Sequence, residues 1–168
     1  ICFFAIVMLR LLASAASLDA SAVTCRPLCD QALPAYSIVI ALRREARIVP
    51  QLIAALERLD YPRAKLDIKF VIEEDDHETR ASLQQNIPSS GYEIIVAPAG
   101  QPRTKPRALN VALPLLRGEF VTVFDAEDIP EPSQLRMAAE RFAQASPRLA
   151  CLQARLAIDN LADGWLPQ

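Results

Sequence analysis

The chain has 168 residues, 52% of them hydrophobic and 23% charged, and its formal net charge is −2. This length and composition allow one well-buried core and little more. The near-neutral charge provides no broad basic surface, so we do not expect nucleic acid as a partner. The four cysteines do not make a disulfide scaffold at this length. No second Cys/His pair accompanies Cys25 and Cys29 to complete a zinc site.

The first segment, residues 1–18, is mostly apolar, and its densest part is residues 1–9. Nine helical residues cover about 14 Å, roughly half of a bilayer core. We therefore interpret residues 1–18 as the end of a transmembrane helix, with Arg10 at the cytoplasmic interface. A signal-peptide apolar region and a buried helix are the alternatives. Because the chain starts at Ile1 and shows no stop signal near Gln168, we expect both ends to be cut from a longer protein.

Residues 19–35 are small and polar and contain two prolines, which predicts a linker before a globular domain over residues 36–168. In that domain, short β-branched runs alternate with amphipathic stretches. The predicted strands cover residues 36–42, 67–72, 92–97, 120–124 and 149–156, and the predicted helices cover residues 49–59, 78–85, 105–116 and 133–145. Pro114 should end or kink the third helix. Single helices between strands predict an α/β, Rossmann-like fold with a mainly parallel sheet.

No glycine motif for phosphate binding is present. None of the four glycines forms GxGxxG or a P-loop, so a bound nucleotide would need a metal and side chains to hold its phosphates. In an open parallel sheet, ligands bind at the carboxyl ends of the strands. The charged residues that follow the first four strands are Arg43, Arg44 and Glu45, then Glu73, Glu74, Asp75 and Asp76, then Arg103 and Lys105, and finally Asp125, Glu127 and Asp128. We expect them to form one polar rim.

The apolar run from Phe120 to Phe124 predicts a buried fourth strand, which stops at the acids of FDAEDIPEP. A strand that ends in carboxylates at a turn suits a divalent cation beside a phosphate, held by Asp125, Glu127 and Asp128. The alternative is a capped turn before the next helix.

The acidic run at residues 73–76 is tolerable only if it is solvated, metal-bound or hydrogen-bonded to a ligand. The alternative is a solvated loop whose Asp75 or Asp76 caps the next helix. Lys105 stands at a helix start, where it could bind a diphosphate together with Arg103. The alternative there is a pair of ordinary surface charges.

The order of these motifs, with the wording TKPRALNVAL and VFDAEDIPEP, resembles family 2 glycosyltransferases of the GT-A fold. The resemblance is strongest to the membrane-bound group related to cellulose and other β-glycan synthases, and it covers about Tyr36 to Trp165. It implies a donor site for a nucleotide-diphosphate sugar, with a UDP-sugar as the expected donor, Mg²⁺ or Mn²⁺ as cofactor and a glycan or lipid-linked acceptor. It also implies a catalytic domain on the cytoplasmic side of the inner or plasma membrane.

By similarity, the donor nucleotide is expected to contact Ala41, Arg43, Glu45, Glu74, Asp75, Lys105 and Asp125. Glu74 is the preferred contact to the base, Lys105 matches the lysine near the diphosphate, and Asn110 is a structural or donor-side contact. Asp125 and Glu127 match the DxD pair, and Asp128 is expected to share metal binding with them.

The chain also departs from the family pattern. Ala-Leu-Arg-Arg-Glu replaces Pro-Thr-Tyr-Asn-Glu after the first strand, a glutamate pair replaces Asp-Asp, and Asp-Ala-Glu replaces DxD. The family's later acidic motif, which supplies the general base, has no counterpart here, and Gln153 with Arg155 does not satisfy QxxRW. The alternatives are a metal-dependent phosphohydrolase, although Ile129 stands where DxDx[TV] needs a hydroxyl, and a noncatalytic nucleotide-sugar-binding domain.

Overall fold

The structure, a computed structural model, describes residues 4, 6–10, 26–88 and 91–154. Strands and helices alternate through the domain. In chain order they are β1 (Tyr36–Leu42), α1 (Val49–Glu57), β2 (Leu66–Glu73), α2 (His77–Asn86), β3 (Tyr92–Ala97), α3 (Lys105–Ala112), β4 (Phe120–Phe124) and α4 (Gln134–Gln144). Short 3-10 turns occur at Asp30–Ala32, Arg63–Lys65 and Leu113–Leu115.

The four strands form one parallel sheet in the order β3-β2-β1-β4. β1 is central, since Ile38 pairs with Ile68 of β2 on one side and with Thr122 of β4 on the other. Helices α1 and α2 lead the chain outward from β1 to β3, and α3 leads it back across the sheet to β4. The predicted α/β fold with a parallel sheet is confirmed.

The sheet is covered on both faces, but unequally. On one face, side chains such as Ile40 and Phe70 pack against apolar residues of α1, α2 and α4. On the other face, α3 contributes Ala108 and Ala112 as its buried residues. Leu109 and Val111 are partly buried beside them, so the apolar cluster on this face is smaller than the one on the other face.

A polar network ties the amino ends of the strands together. Lys69 of β2 is fully buried, and its Nζ contacts Glu93 as well as Asp67 Oδ1, the latter at 2.9 Å. Ser37 Oγ donates to Asp67 Oδ2 at 2.8 Å and accepts from the backbone N–H of Gly118, also at 2.8 Å. The buried lysine is thus paired, as a buried charge must be.

Most of the predicted elements have the expected bounds. Strands β1, β3 and β4 match, and the ends of β2, α1, α2 and α4 lie within two residues of their predicted positions. Helix α3 ends at Ala112 rather than at Leu116, and a 3-10 turn that contains Pro114 follows it. Proline removes a backbone donor and clashes with the preceding turn, which ends the α-helix early.

The prediction that β4 is a buried strand is wrong for one of its faces. Val121 and Val123 are 47% and 43% exposed. Val123 pairs with Val39, which points toward α3. However, α3 packs on β1, β2 and β3. The part of this face that β4 forms is therefore little covered by the described residues.

The prediction of a strand at residues 149–156 is also wrong where it can be examined: residues 149–154 form no strand, and residues 155–156 lie outside the described ranges. Handedness gives the physical reason. Because α4 lies on the same face as α1 and α2, a right-handed crossover through it moves the chain in the same direction along the sheet. That direction leads from β4 to the position that β1 already occupies.

The N-terminal predictions fall mostly on residues 1–3, 5 and 11–25, which lie outside the described ranges. None of the described helices has the length and apolar character needed to cross a membrane. The described end of the predicted linker packs on the domain: Leu33 is 3% exposed within the core, and the Tyr61 hydroxyl donates to the Pro34 carbonyl at 2.7 Å. The boundary at Tyr36 stays a prediction.

Candidate functional site

The predicted rim lies where the direction of the chain along the sheet reverses. The chain leaves β1 toward β2 on one side and later reaches β4 on the other, and such a switch point forms the ligand crevice of open parallel sheets. Ile40 pairs with Phe124, the last residue of β4, whereas β1 continues to Leu42. β1 therefore extends beyond the level at which β4 ends, and the loop after β1 projects farther from the sheet than the acidic turn after β4.

The loop after β1 is held in an unusual backbone conformation. Arg44 has φ of 59°, which is uncommon for a residue with a side chain. Its N–H donates to Asp76 Oδ2 at 2.5 Å, and the Glu45 N–H donates to Thr79 Oγ1 at 3.1 Å. Strain of this kind persists only where the surroundings impose it, and it clusters at functional sites. The start of α2 thus fixes the loop that was predicted to contact the nucleotide.

The acidic run after β2 divides its four carboxylates among different tasks. Glu73 and Asp76 are buried, whereas Glu74 and Asp75 are exposed. Asp76 caps α2 by accepting from the Thr79 N–H at 3.2 Å, so the capping alternative is correct for this residue. Glu74 forms no ion pair within the described ranges, which leaves it available to a ligand.

Three cations at the start of α3 each pair with a different acid on the rim. Arg103 Nη1 contacts Asp75 Oδ2 at 2.6 Å, Lys105 Nζ contacts Asp125 Oδ1, and Arg107 Nη1 lies 3.4 Å from Glu73 Oε1. These three cations lie at alternate positions of residues 103–107, and they contact acids at the ends of β2 and β4, which flank β1 on opposite sides. The hydrogen bond from Arg103 lowers the pKa of Asp75, which stays ionised. The predicted clustering of these groups on one rim is observed for these three pairs.

The turn after β4 is closed by two hydrogen bonds between its ends. The Asp125 N–H donates to Asp128 Oδ2 at 2.7 Å, and the Asp128 N–H donates to the Asp125 carbonyl at 3.1 Å. Glu127 is exposed between them. This geometry is compatible with the predicted metal ligands and also with the alternative, a capped turn before the next helix, because the Asp128 carboxylate caps the Asp125 N–H.

A metal at this turn would have to bind together with a ligand. Among the described residues, no group of three His, Cys, Asp or Glu side chains is arranged to hold a metal ion. Asp125 is half exposed and engages Lys105 through one oxygen, while Glu127 is free toward solvent. This donor set does not make a protein-only cage. It fits Mg²⁺ or Mn²⁺ bound by one or two carboxylates plus substrate phosphates and water.

The remaining predicted residues are distributed around the same rim. Ala41 packs at the edge of the α3 face, Arg43 is exposed, and Glu45 Oε2 accepts from the Arg43 N–H at 3.0 Å. Asn110 is exposed on α3. The assignment of these residues to the donor stays a prediction.

Sequence reasoning missed Arg107 and Gly100. Arg107 Nη2 donates to the Pro98 carbonyl, and its guanidinium lies against Gly100. No local signal pairs Arg107 with Glu73, because 34 residues separate them. A glycine just after a predicted strand was the only hint of a close approach.

A separate cavity of about 460 Å³ lies at the opposite edge of the sheet. Its lining includes Lys65, Asp67, Glu93 and Arg117, which precede or begin the strands. Because parallel sheets bind ligands at the carboxyl ends, we assign the site to the rim and not to this cavity.

Comparison with known proteins identifies the protein family of this chain. The family model described as "Glycosyltransferase like family 2" matches residues 34–168. The chain belongs to glycosyltransferase family 2. As a member of that family, it is 30% identical over 132 residues to the beta-monoglucosyldiacylglycerol synthase of Synechocystis sp., a match that covers 77% of this chain and 27% of the relative. The chain spans about a quarter of the length of the curated relatives it matches.

Two solved glycosyltransferase structures share the fold of this family 2 domain. The mannosyltransferase PcManGT of Pyrobaculum calidifontis, in complex with GDP-Man and Mn²⁺, has a TM-score of 0.62 at 20% identity, over 79% of this chain and 39% of that one. TarS of S. aureus, in complex with UDP-GlcNAc, has a TM-score of 0.53 at 24% identity, over 62% and 30%. The expected GT-A fold is confirmed.

Proposed function

We propose that this family 2 domain binds the nucleotide-diphosphate sugar donor of a glycosyltransferase, with a UDP-sugar as the expected donor. The observation that carries the proposal is the Lys105–Asp125 pair at the switch point between β1 and β4. A diphosphate needs a cation, and a divalent metal needs a carboxylate. Both groups stand side by side where an open parallel sheet binds its ligands.

The donor is proposed to lie across the crevice. Ala41, Arg43 and Glu45 stand at the nucleotide end, Glu74 with Asp75 faces the base, and Lys105 faces the diphosphate. Since Asp75 is held ionised by Arg103, it can accept a hydrogen bond from an imide N–H such as that of uracil. The strand order supports this orientation, because β1 lies between β2, which precedes Glu74 and Asp75, and β4, which precedes Asp125.

Asp125 and Glu127, with Asp128 beside them, are proposed to hold Mg²⁺ or Mn²⁺ together with the donor phosphates. A metal bound there would neutralise charge on the diphosphate leaving group. Lys105 would then turn from Asp125 toward a phosphate oxygen, which its long, flexible side chain permits. The Mn²⁺ in the mannosyltransferase complex supports a divalent metal in this fold.

The acceptor is proposed to be a lipid or lipid-linked molecule at a membrane, since the glucosyldiacylglycerol synthases are named for such a product. Residues 1–18 are proposed to place the domain at the cytoplasmic side of the inner or plasma membrane. Phe4, Ile6 and Leu9 are 72%, 55% and 69% exposed. Flotation with phosphatidylglycerol vesicles tests this placement: the full chain should float, whereas a chain lacking residues 1–18 should stay at the bottom.

Titration calorimetry with UDP-glucose, UDP-GlcNAc and GDP-mannose, each with and without MnCl₂, tests donor binding. One donor should give saturable heat with Mn²⁺, and Asp125→Ala or Lys105→Ala should raise its dissociation constant about tenfold to a hundredfold. Glu119→Ala and Arg117→Ala are matched controls, because they change an acid and a cation near the opposite end of β4. Absence of heat with all three donors, or equal loss in the controls, would overturn the proposal.

A transfer assay separates this function from its alternatives. The full-length protein should transfer radiolabelled glucose from UDP-glucose to diacylglycerol. Release of phosphate from sugar phosphates without a glycolipid product would favour the phosphohydrolase. We do not expect that result, because Ile129 stands where the phosphohydrolase motif needs a hydroxyl. Donor binding with neither reaction would favour a noncatalytic domain.

A further inference from the structure

We infer that Arg107 is a positioning residue that sets Lys105 against Asp125, with Gly100 providing the space for its guanidinium; this inference rests on the proposed role of Lys105 in donor binding. Arg107 Nη1 lies 3.4 Å from both carboxylate oxygens of Glu73, and Nη2 donates to the Pro98 carbonyl. One side chain of α3 thereby contacts the last residue of β2 and the loop directly after β3.

Arg107 is the least exposed of the three cations that pair at the start of α3, which makes it the anchor among them. The buried residues of α3 are two alanines, and Thr104, the residue before the helix, makes no side-chain capping bond. The partly buried Leu109 and Val111 pack beside these alanines, but apolar contacts are non-directional and begin only at Ala108, so they do not define where the first turn of α3 lies. The directional contacts of the guanidinium define it.

The geometry links this anchor to the proposed site. Arg107 and Lys105 are two residues apart, and they point to acids on opposite sides of β1: Glu73 ends β2, and Asp125 follows β4. A shift or rotation of the start of α3 moves both side chains together. With Arg107 anchored, Lys105 stays within reach of Asp125 and of any phosphate bound beside it.

Gly100 makes the anchor possible. A Cβ at this position would lie 2.8 Å from Arg107 Nη2 and 3.4 Å from Cζ. The conflict is with the end of a flexible side chain, so Gly100→Ala displaces the guanidinium at little cost to the fold. This glycine therefore offers a variant that disturbs the anchor without removing Arg107.

Chemical labelling of Lys105 tests the positioning without any donor. Acetic anhydride labelling, read by mass spectrometry on the full chain, should increase at Lys105 by about threefold in Arg107→Met and Gly100→Ala, because its pair with Asp125 loosens. Lys65 serves as the internal reference, since its Nζ donates to the Leu33 carbonyl far from the rim. Arg136→Met is the matched control, an arginine of similar exposure that pairs with Asp30 and Asp60 elsewhere.

A double-mutant cycle on donor binding tests whether Arg107 affects donor affinity through Lys105. Arg107→Met should weaken binding of UDP-glucose with Mn²⁺ about tenfold, and it should add nothing in a Lys105→Met background. Arg107→Lys should restore part of the affinity through Glu73. Unchanged Lys105 labelling, or additive losses in the cycle, would overturn the inference. If no donor binds to the unmodified chain, the proposed function fails, while the labelling result still decides the inference.

Discussion

Lys105 and Asp125 form an ion pair that joins the first residue of α3 to the residue directly after β4. The two residues lie 20 positions apart in the chain, and β4 itself intervenes. Their contact brings a phosphate-binding type of cation and a metal-binding type of acid to the switch point of the sheet.

Removing this pair should affect ligand binding without destabilising the domain. The side chains of Lys105 and Asp125 are 39% and 59% exposed, and exposed pairs contribute about 0–1 kcal/mol. Lys105→Met and Asp125→Asn should therefore change the free energy of unfolding in urea by less than about 1 kcal/mol. A loss above about 2 kcal/mol in either variant would mean that the pair is structural, contrary to its proposed role.

Gly118→Ala should strongly destabilise the fold. A Cβ at Gly118 would lie 2.7 Å from the Phe120 carbonyl oxygen and 2.7 Å from the Tyr36 carbonyl carbon, neither of which can rotate away. We expect a loss of about 3 kcal/mol or more in urea unfolding, with insoluble expression as the extreme. Gly100→Ala is the control, since its conflict is with a mobile side chain. Equal stability of the two variants would contradict this account.

Arg44→Gly should stabilise the loop after β1 or leave it unchanged. The φ of 59° costs a side-chain-bearing residue about 1 kcal/mol, which glycine avoids, although glycine also loses more chain entropy on folding. The net change in unfolding free energy should lie between about 0 and +1 kcal/mol. Arg43→Gly has no positive φ to relieve and should destabilise the domain by about 0.5–1 kcal/mol. Thermal unfolding of both variants measures the difference.

Asp67 should make the stability of the domain depend on acid pH. Burial raises its pKa, but hydrogen bonds from Lys69, Ser37 and the Arg117 N–H outweigh burial, and the folded-state pKa lies below its ordinary value. A depressed pKa contributes stability above the unfolded-state value of about 4, and that stability is lost as the pH falls through the folded-state value.

Asp67→Asn should therefore be less stable than the unmodified chain at pH 7, and the difference should shrink below about pH 4. Urea unfolding at pH 7, 5, 4 and 3 measures it. Glu119→Gln, an exposed acid at the same edge of the sheet, should show no comparable trend. A difference for Asp67→Asn that stays constant with pH would show that its hydrogen bonds, and not its charge, carry the effect.

The sequence was a good guide to the elements and to their order. Alternation of β-branched runs with amphipathic stretches predicted β1, β3 and β4 to the residue, because the spacing of apolar residues in the sequence follows the periodicity of strands and helices. The prediction was wrong for residues 149–154, because an apolar run indicates a strand without showing whether the helix before it leads the chain to a free position in the sheet. It also treated β4 as buried on both faces, although its cover depends on where α3 lies.

What the sequence determined by itself was the chemistry of the rim: cations and acids after successive strands, whose carboxyl ends must meet in a parallel sheet. The tertiary structure decided which of them pair. It divided the acidic run between a cap at Asp76, an anchor at Glu73 and an exposed Glu74, and it brought Arg107 and Gly100 into the rim. The physical reason is distance along the chain, since pairs such as Arg107 with Glu73 depend on how α3 lies across the sheet and not on any local pattern.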